Sequence, residues 1–87
     1  MEAGDKIKWK LAGRGAGRIE NGTLLGRVLN GQDPVDVAGE VAKDHIIAFP
    51  RKDNVRDFDR YMISVPTGKN GDGKPKVVLA RLSQVVE

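Results

Sequence analysis

The 87-residue chain contains no cysteine and a single histidine, His45. Without cysteine it can form neither a disulfide framework nor a thiolate metal site, and one histidine cannot build a multi-histidine metal cluster. We therefore expect no structural metal and no cofactor. A chain without disulfides is typical of a reducing compartment, which predicts a cytoplasmic protein.

Long apolar runs are also missing. No stretch approaches the roughly 20 apolar residues that a membrane-spanning helix requires. Residues 1–6 lack the apolar segment of a signal peptide. The length suits one modest core and is too short for two, so we expect a single domain over residues 1–87 without membrane contact.

Aromatic residues and net charge are both sparse. Trp, Tyr and Phe make up 5% of the chain, and 15 Lys and Arg against 12 Asp and Glu give a net charge of +3. That charge is compatible with weak attraction to nucleic acid, although it also serves simply to keep a small domain soluble. It is smaller than the basic footprint typical of dedicated nucleic-acid-binding domains.

The clearest pattern is a long hairpin near the C-terminus. Tyr61, Ile63 and Val65 alternate along a strand that begins at residue 60, which places them on one face. A glycine-rich loop follows, and residues 76–80 supply an apolar return strand. The other residues of the first strand are expected to face water: Arg60, Met62 and Ser64. This pattern predicts a small, mainly β domain.

The N-terminal strand, residues 6–11, alternates without interruption. Ile7, Trp9 and Leu11 are expected to enter the core, and the intervening lysines share the opposite face. We call this the lysine face; it consists of Lys6, Lys8 and Lys10. Two interpretations of it remain open. It is either a solvated face or edge guard, since lysines discourage edge-to-edge pairing, or a surface that follows a phosphate backbone.

Two glycine positions in the next segment predict a turn and a bend. Asn21-Gly22 tolerates the positive φ of a two-residue hairpin turn, so we expect a turn there. Gly26, inside the strand that follows, predicts a β-bulge.

We expect the apolar faces of the strands to meet in one core, which Phe58 from the polar loop 51–59 helps to fill. The residues predicted to share this core are Ile7, Trp9, Val28, Ile47, Tyr61, Ile63, Val65 and Leu79.

Residues 34–43 carry conflicting signals. Asp33 followed by Pro34 is a helix start signal. Val35 and Val37 at spacing two, with Gly39 after them, equally favour an extended segment, and we favour a loop and strand here. Residues 44–49 are predicted to form another short strand, and residues 81–87 either one helical turn or a last strand.

Catalytic and phosphate-binding motifs are incomplete. Residues 68–75 follow the spacing of a P-loop, but Pro75 stands where a Ser or Thr must hold Mg²⁺, and no helix follows. Ser64 or Ser83 could be combined with His45 and an Asp into a catalytic triad, but no nucleophile-elbow motif supports this. We therefore predict no catalytic residue, no metal ligand and no enzyme activity.

Gly4-Asp5-Lys6-Ile7-Lys8-Trp9 at one end of the chain and Arg60-Tyr61-Met62-Ile63 near the other resemble motifs of a known family, the small bacterial and fungal hypervirulence-associated Tudor-like domains. Their opening Gly-Asp-Lys-Val-x-Trp resembles Gly4-Asp5-Lys6-Ile7-Lys8-Trp9. Later motifs of the family are similar to Arg60-Tyr61-Met62-Ile63, Thr67-Gly68-Lys69 and Lys74-Pro75. The resemblance implies an all-β, five-stranded SH3-like or Tudor-like barrel. Residues 30–59 form a longer stretch than the family has, and the family's biochemical role is poorly defined, so the resemblance adds mainly to the fold prediction.

The basic residues carry the functional prediction. We expect a small non-enzymatic binding module, a nucleic-acid-associated accessory domain that contacts DNA or RNA phosphates weakly and without sequence preference. The residues expected to do so are Lys6, Lys8, Lys10, Arg14, Arg18, Lys69, Lys74 and Lys76. The alternative is a protein-interaction module that binds a peptide or partner protein through a strand edge or an inter-loop groove. Salt dependence separates the two, because phosphate binding weakens steeply with salt.

Overall fold

A computed structural model describes residues 2–11, 17–49, 55–68 and 72–86 of the chain. In these ranges six strands form one sheet, and one short helix packs against it. The elements in chain order are β1 Lys6–Lys10, β2 Ile19–Val28, α1 Pro34–Val41, β3 Ile46–Ile47, β4 Arg60–Val65, β5 Lys76–Arg81 and β6 Val85–Val86. A 3-10 turn, Leu82–Gln84, joins β5 to β6. The predicted all-β class is confirmed.

The strands lie in the order β3-β5-β4-β2-β1-β6, and their pairs are antiparallel except for β3 with β5. Although β6 follows β5 closely in sequence, it pairs with β1 at the other end of this order. Gln84 spans the same gap: its Oε1 accepts from the Arg81 backbone N–H at 2.8 Å, and its Nε2 donates to the Lys10 carbonyl at 2.8 Å. The sheet therefore curls enough to bring the end of β5 beside β1. Closure into a five-stranded barrel stays a prediction.

The long hairpin is confirmed as β4 and β5, but the predicted exposure of one β4 face is wrong. Met62, expected to face water, is fully buried, and Arg60 is only 6% exposed. Helix α1 packs on the side from which Met62 projects. Alternation correctly identified the buried face of β4 that carries Ile63. It could not show that a helix covers the other face, because a strand buried on both faces has apolar residues on both and no clear alternation.

The sheet divides the core into two clusters, so the prediction of one shared core is wrong. The helix-side cluster consists of Val28, Val37, Ala38, Ala42, Met62 and Val77. The cluster on the opposite side consists of Ile7, Trp9, Leu24, Ile63 and Ala80. Ile47 and Leu79 pack against the helix-side cluster, whereas Tyr61 and Val65 pack against the opposite one.

Helix α1 forms where we favoured a loop and strand, so that preference is wrong and the capping signal is right. The Asp33 carboxylate accepts a hydrogen bond from the backbone N–H of Val35 at 3.0 Å, and Pro34 occupies the first turn. Val37 and Ala38 face the sheet and are buried. This burial outweighs the extended preference of the valines, because tertiary packing overrides local propensity.

The predictions for residues 44–49 and for the C-terminal segment are both confirmed in outline. The strand expected within residues 44–49 is present as β3, which is only two residues long. The C-terminal segment contains both alternatives that we left open, since a 3-10 turn comes first and β6 follows it.

The pair Asn21-Gly22 is not a turn, and this prediction is wrong. Both residues lie inside β2, where Gly22 stands opposite Ile7 of β1. The β1–β2 connection begins at Leu11, whose backbone N–H donates to the carbonyl of Arg18 at 2.9 Å. Glycine is required at position 22 because neighbouring side chains and a backbone carbonyl approach it closely.

The bulge predicted at Gly26 is confirmed. The pairing of β2 with β4 shifts register between Leu24 and Gly26. Leu25, the residue between them, packs against the helix-side cluster. The bulge therefore supplies an additional apolar side chain to the side of the sheet that the helix covers.

Phe58 does not fill the core as predicted. It is half-buried and belongs to neither cluster. Its ring lies beside two guanidinium groups, 5.9 Å from Arg60 and 4.8 Å from Arg81 between the guanidinium carbon and the ring centre.

Candidate nucleic-acid interface

The lysine face is formed by the alternation of β1. Ile7 and Trp9 are buried in the cluster opposite the helix, at 7% and 4% exposure, so the residues between them must project the other way. Lys6, Lys8 and Lys10 are all exposed, as predicted. Alternate residues of an extended strand lie roughly 7 Å apart, so the three ammonium groups emerge in a row.

The interpretation of these lysines as guards of a sheet edge stays a prediction, because β6 covers only part of the outer side of β1. β1 is an interior strand of the sheet, with β2 on one side and β6 on the other. Lys8 stands opposite Asn21 of β2 and also opposite Val86 of β6. The carbonyl of Lys10 accepts a hydrogen bond from the Gln84 side chain. Lys6 and Ile7 have no strand partner on the β6 side among the described residues, so the unpaired edge of β1 is shortened there and not removed.

Polar side chains of β2 extend the lysine face sideways. Directly paired residues of antiparallel strands project from the same face, so Thr23 lies beside Lys6 and Asn21 lies beside Lys8. A groove of about 340 Å³ runs over this part of the two strands, with Pro66 at its border. It can offer ammonium, amide and hydroxyl donors to a ligand at the same time.

The same face of the sheet carries helix α1 further along. Thr23 is paired with Ser64 of β4, and Ser64 is paired with Val77 of β5, which is buried in the helix-side cluster. The helix therefore covers part of this face and leaves the lysine face open to water. Among the described residues, none of the three lysines takes part in an ion pair.

The other basic residues predicted for the interface are not gathered on the lysine face. Arg18 is exposed, but its Nε lies 3.2 Å from Glu20 Oε1, so part of its charge is offset within the chain. Lys74 is exposed on the hairpin loop. Lys76 is half-buried and stands opposite Val65, which projects from the other face of the sheet. The remaining two, Arg14 and Lys69, lie outside the described residues.

A second groove, of about 390 Å³, opens on the face opposite the lysines. Its apolar part is formed by the edges of Trp9, Leu11, Val65, Val78 and Leu79, and its polar part by Glu20, Lys76 and Gln84. Unlike the lysine face, this groove combines an apolar surface with one acidic and one basic side chain. Of the described surfaces, it best fits the inter-loop groove through which a protein-interaction module would bind its partner.

The structure brings together one pair from the triad considered in the sequence. His45 Nε2 and Ser64 Oγ are 2.8 Å apart. The other ring nitrogen, Nδ1, is buried and has no hydrogen-bond partner within the described residues, so no carboxylate orients the imidazole as a triad requires. The pair fastens the segment after α1 to β4. Sequence reasoning named both residues but had no signal for their contact.

Comparisons with family models, curated proteins and solved structures find no match for this chain. The resemblance to the hypervirulence-associated Tudor-like domains therefore stays a prediction. In the part of the chain that the structure describes, no helix is long and apolar enough to cross a membrane.

Proposed function

We propose that this protein is a binding module that contacts the phosphate backbone of nucleic acid through its lysine face. The observation that carries the proposal is a row of three exposed lysines on an interior strand, which form no ion pair with another described residue. Ammonium groups that have no ion-pair partner are suited to replacing the counterions of a polyanion.

The ligand class follows from the positions of the four aromatic residues. Trp9 is 4% exposed, and Tyr61 lies on the opposite face of the sheet with Arg27 5.8 Å from its ring. Phe49 and Phe58 line a separate pocket beside β5. The lysine face thus has no ring on which a base could stack, and stacking is a main source of affinity for single strands. Double-stranded nucleic acid, with its higher charge density, is the favoured ligand, and sequence preference is not expected.

The strand-edge form of the alternative has less support. The two outermost strands, β3 and β6, are each two residues long. An incoming peptide strand would find few unpaired N–H and C=O groups along either of them, and the longer edge is the part of β5 that extends past β3. A protein partner would instead use the groove that contains Trp9 and Leu11, and its binding would depend little on salt.

The test is a titration of a fluorescently labelled duplex and a single strand of equal length, followed by anisotropy at several salt concentrations. With three phosphates neutralised, the logarithm of the binding constant should fall against log salt with a slope of about −2.7 for duplex DNA. The duplex should bind more tightly than the single strand. Absence of binding to either ligand at low salt would refute the proposal and favour the protein-interaction alternative.

A variant with Lys6, Lys8 and Lys10 all replaced by Gln provides the matched control. All three side chains are exposed, so the change in folding stability should stay within about 0.5 kcal/mol for each. The salt dependence of binding should be almost abolished. If the variant binds as tightly as the parent and with the same slope, the contact lies elsewhere on the molecule.

A further inference from the structure

A second positively charged site lies at the other end of the β4–β5 pair. It is a pocket of about 330 Å³ beside the part of β5 that extends past β3. Three arginines and two phenylalanines contribute to its wall: Arg56, Arg60, Arg81, Phe49 and Phe58. We call it the arginine pocket. Its lysine-free lining and its position distinguish it from the lysine face.

The register of the sheet places two of these arginines side by side. Arg60 of β4 is directly opposite Arg81 of β5, so both project from the same face. Like charges in such positions repel each other, and Arg60 is also only 6% exposed. Burial, and secondly the nearby charge of Arg56, hold the pKa of Arg60 below its ordinary value. The local structure thus concentrates positive charge at some cost to folding.

Phe58 orients the guanidinium groups. The guanidinium carbon of Arg81 lies 4.8 Å from the centre of the Phe58 ring, and that of Arg60 lies 5.9 Å away. A guanidinium held beside an aromatic ring keeps its N–H edge for a planar, two-pronged contact with an oxyanion. Arg81 is exposed at the rim, which makes it the principal donor to an incoming group.

The carboxylate that directly precedes Arg60 in sequence, Asp59, is directed elsewhere. One oxygen of Asp59 lies 3.1 Å from Arg27 Nη2, and the other accepts from the backbone N–H of Asn30 at 2.7 Å. Arg56 and Arg60 have contacts of their own within the chain. The pocket therefore uses their charge and position, and a direct hydrogen bond from either of them to the ligand is not needed.

We propose that the arginine pocket binds a small phosphomonoester, with the phosphate held by Arg81 against the positive charge of Arg56 and Arg60. A dianionic phosphate matches a pocket lined by three arginines better than a singly charged carboxylate does. Phe58 and Phe49 supply an apolar wall for the organic group of the ester. A volume of about 330 Å³ lies at the lower end of the range of small-molecule sites and is suited to a phosphate with a single ring.

The experiment is an NMR titration of the ¹⁵N-labelled protein with phenyl phosphate, inorganic phosphate and benzenesulfonate in parallel. Phenyl phosphate should shift the signals of Arg81 and Phe58 saturably and bind most tightly. Inorganic phosphate lacks the ring, so its weaker binding would measure the contribution of the ring to affinity. Benzenesulfonate keeps the ring but carries one negative charge, so its weaker binding would measure the contribution of the second charge.

Two variants and one control locate the site. Arg81→Gln should weaken phenyl phosphate binding about tenfold, since it removes a charge-assisted two-pronged contact. Arg81→Lys keeps the charge without the planar fork and should lose part of the affinity. Lys43→Gln removes one exposed charge outside both the lysine face and the arginine pocket and should leave this binding unchanged.

Three results would overturn the proposal. The first is absence of any saturable shift at Arg81 or Phe58 in the parent protein. The second is equal affinity for benzenesulfonate or for inorganic phosphate, which would exclude a phosphomonoester as the preferred ligand. The third is an equal loss of affinity in Lys43→Gln and Arg81→Gln. None of these depends on whether the lysine face binds nucleic acid.

Discussion

Gly22 occupies a position in β2 where no side chain fits. A Cβ atom placed there would lie 2.6 Å from Ile63 Cγ2, 2.7 Å from the Ser64 carbonyl oxygen and 3.0 Å from Trp9 Cζ3. Gly22→Ala should therefore lower the free energy of unfolding by about 1–3 kcal/mol or more, because the packed neighbours must move. Urea denaturation measures this directly.

Gly26 provides the matched control for this substitution. It lies in the same strand, and a Cβ there would have no heavy atom within 4 Å. Gly26→Ala should change the free energy of unfolding by less than about 1 kcal/mol, in either direction. Equal effects of the two substitutions would contradict the close approach at Gly22.

Trp9 is the largest side chain of the cluster opposite the helix. It is 4% exposed and packs with Ile63 and Leu24. Trp9→Ala should cost about 3–5 kcal/mol, which is a large fraction of the stability of a domain this small. Lys8→Ala, on the open face of the same strand, should cost no more than about 0.5 kcal/mol. An unchanged melting temperature for Trp9→Ala would show that the ring is not in the core.

Among the elements, helix α1 depends on a single side-chain cap. Asp33→Ala removes the acceptor for the backbone N–H of Val35 and should lower the free energy of unfolding by about 0.5–2 kcal/mol. Asp33→Asn retains an acceptor oxygen and should cost clearly less. Thermal unfolding of both variants gives the comparison, and equal losses would mean that the charge of Asp33, not its hydrogen bond, stabilises the helix.

The elements also show what the sequence could and could not predict. Strand β1 was predictable because one of its sides meets a core and its pattern alternates, and the β4–β5 hairpin because two apolar segments flank a glycine-rich loop. Helix α1 was not, since eight residues with Gly39 among them give a weak period and the helix is held by contacts with distant strands. Met62 was misplaced for the same reason. The turn predicted at Asn21-Gly22 is wrong because Gly22 is required by close packing against residues of other strands, which the local sequence does not show.

At the scale of the whole molecule, the candidate site was partly predictable. The lysine face follows from alternation in β1 alone, and its three residues lie together as expected. The gathering of Arg56, Arg60 and Arg81 depends on strand register, which no local pattern specified. Lys76 was grouped with the β1 lysines by charge, yet its partner Val65 projects from the opposite face. Composition indicates how much charge is present, and topology decides where it is placed.

An experiment can distinguish the effect of where the positive charges lie from the effect of the net charge on nucleic-acid binding. Replacing Lys6, Lys8 and Lys10 by Gln brings the net charge from +3 to zero. Replacing exposed Lys43 by Glu together with exposed Gln32 by Glu produces the same net charge and leaves the lysine face intact. If the lysines contact phosphates directly, only the first variant should lose the salt-dependent slope of duplex binding, because counterion release counts the contacts made. The second should keep a slope of about −2.7 and bind somewhat more weakly through the long-range field. Equal losses in the two variants would show that the protein attracts nucleic acid through its overall charge and has no dedicated face for it.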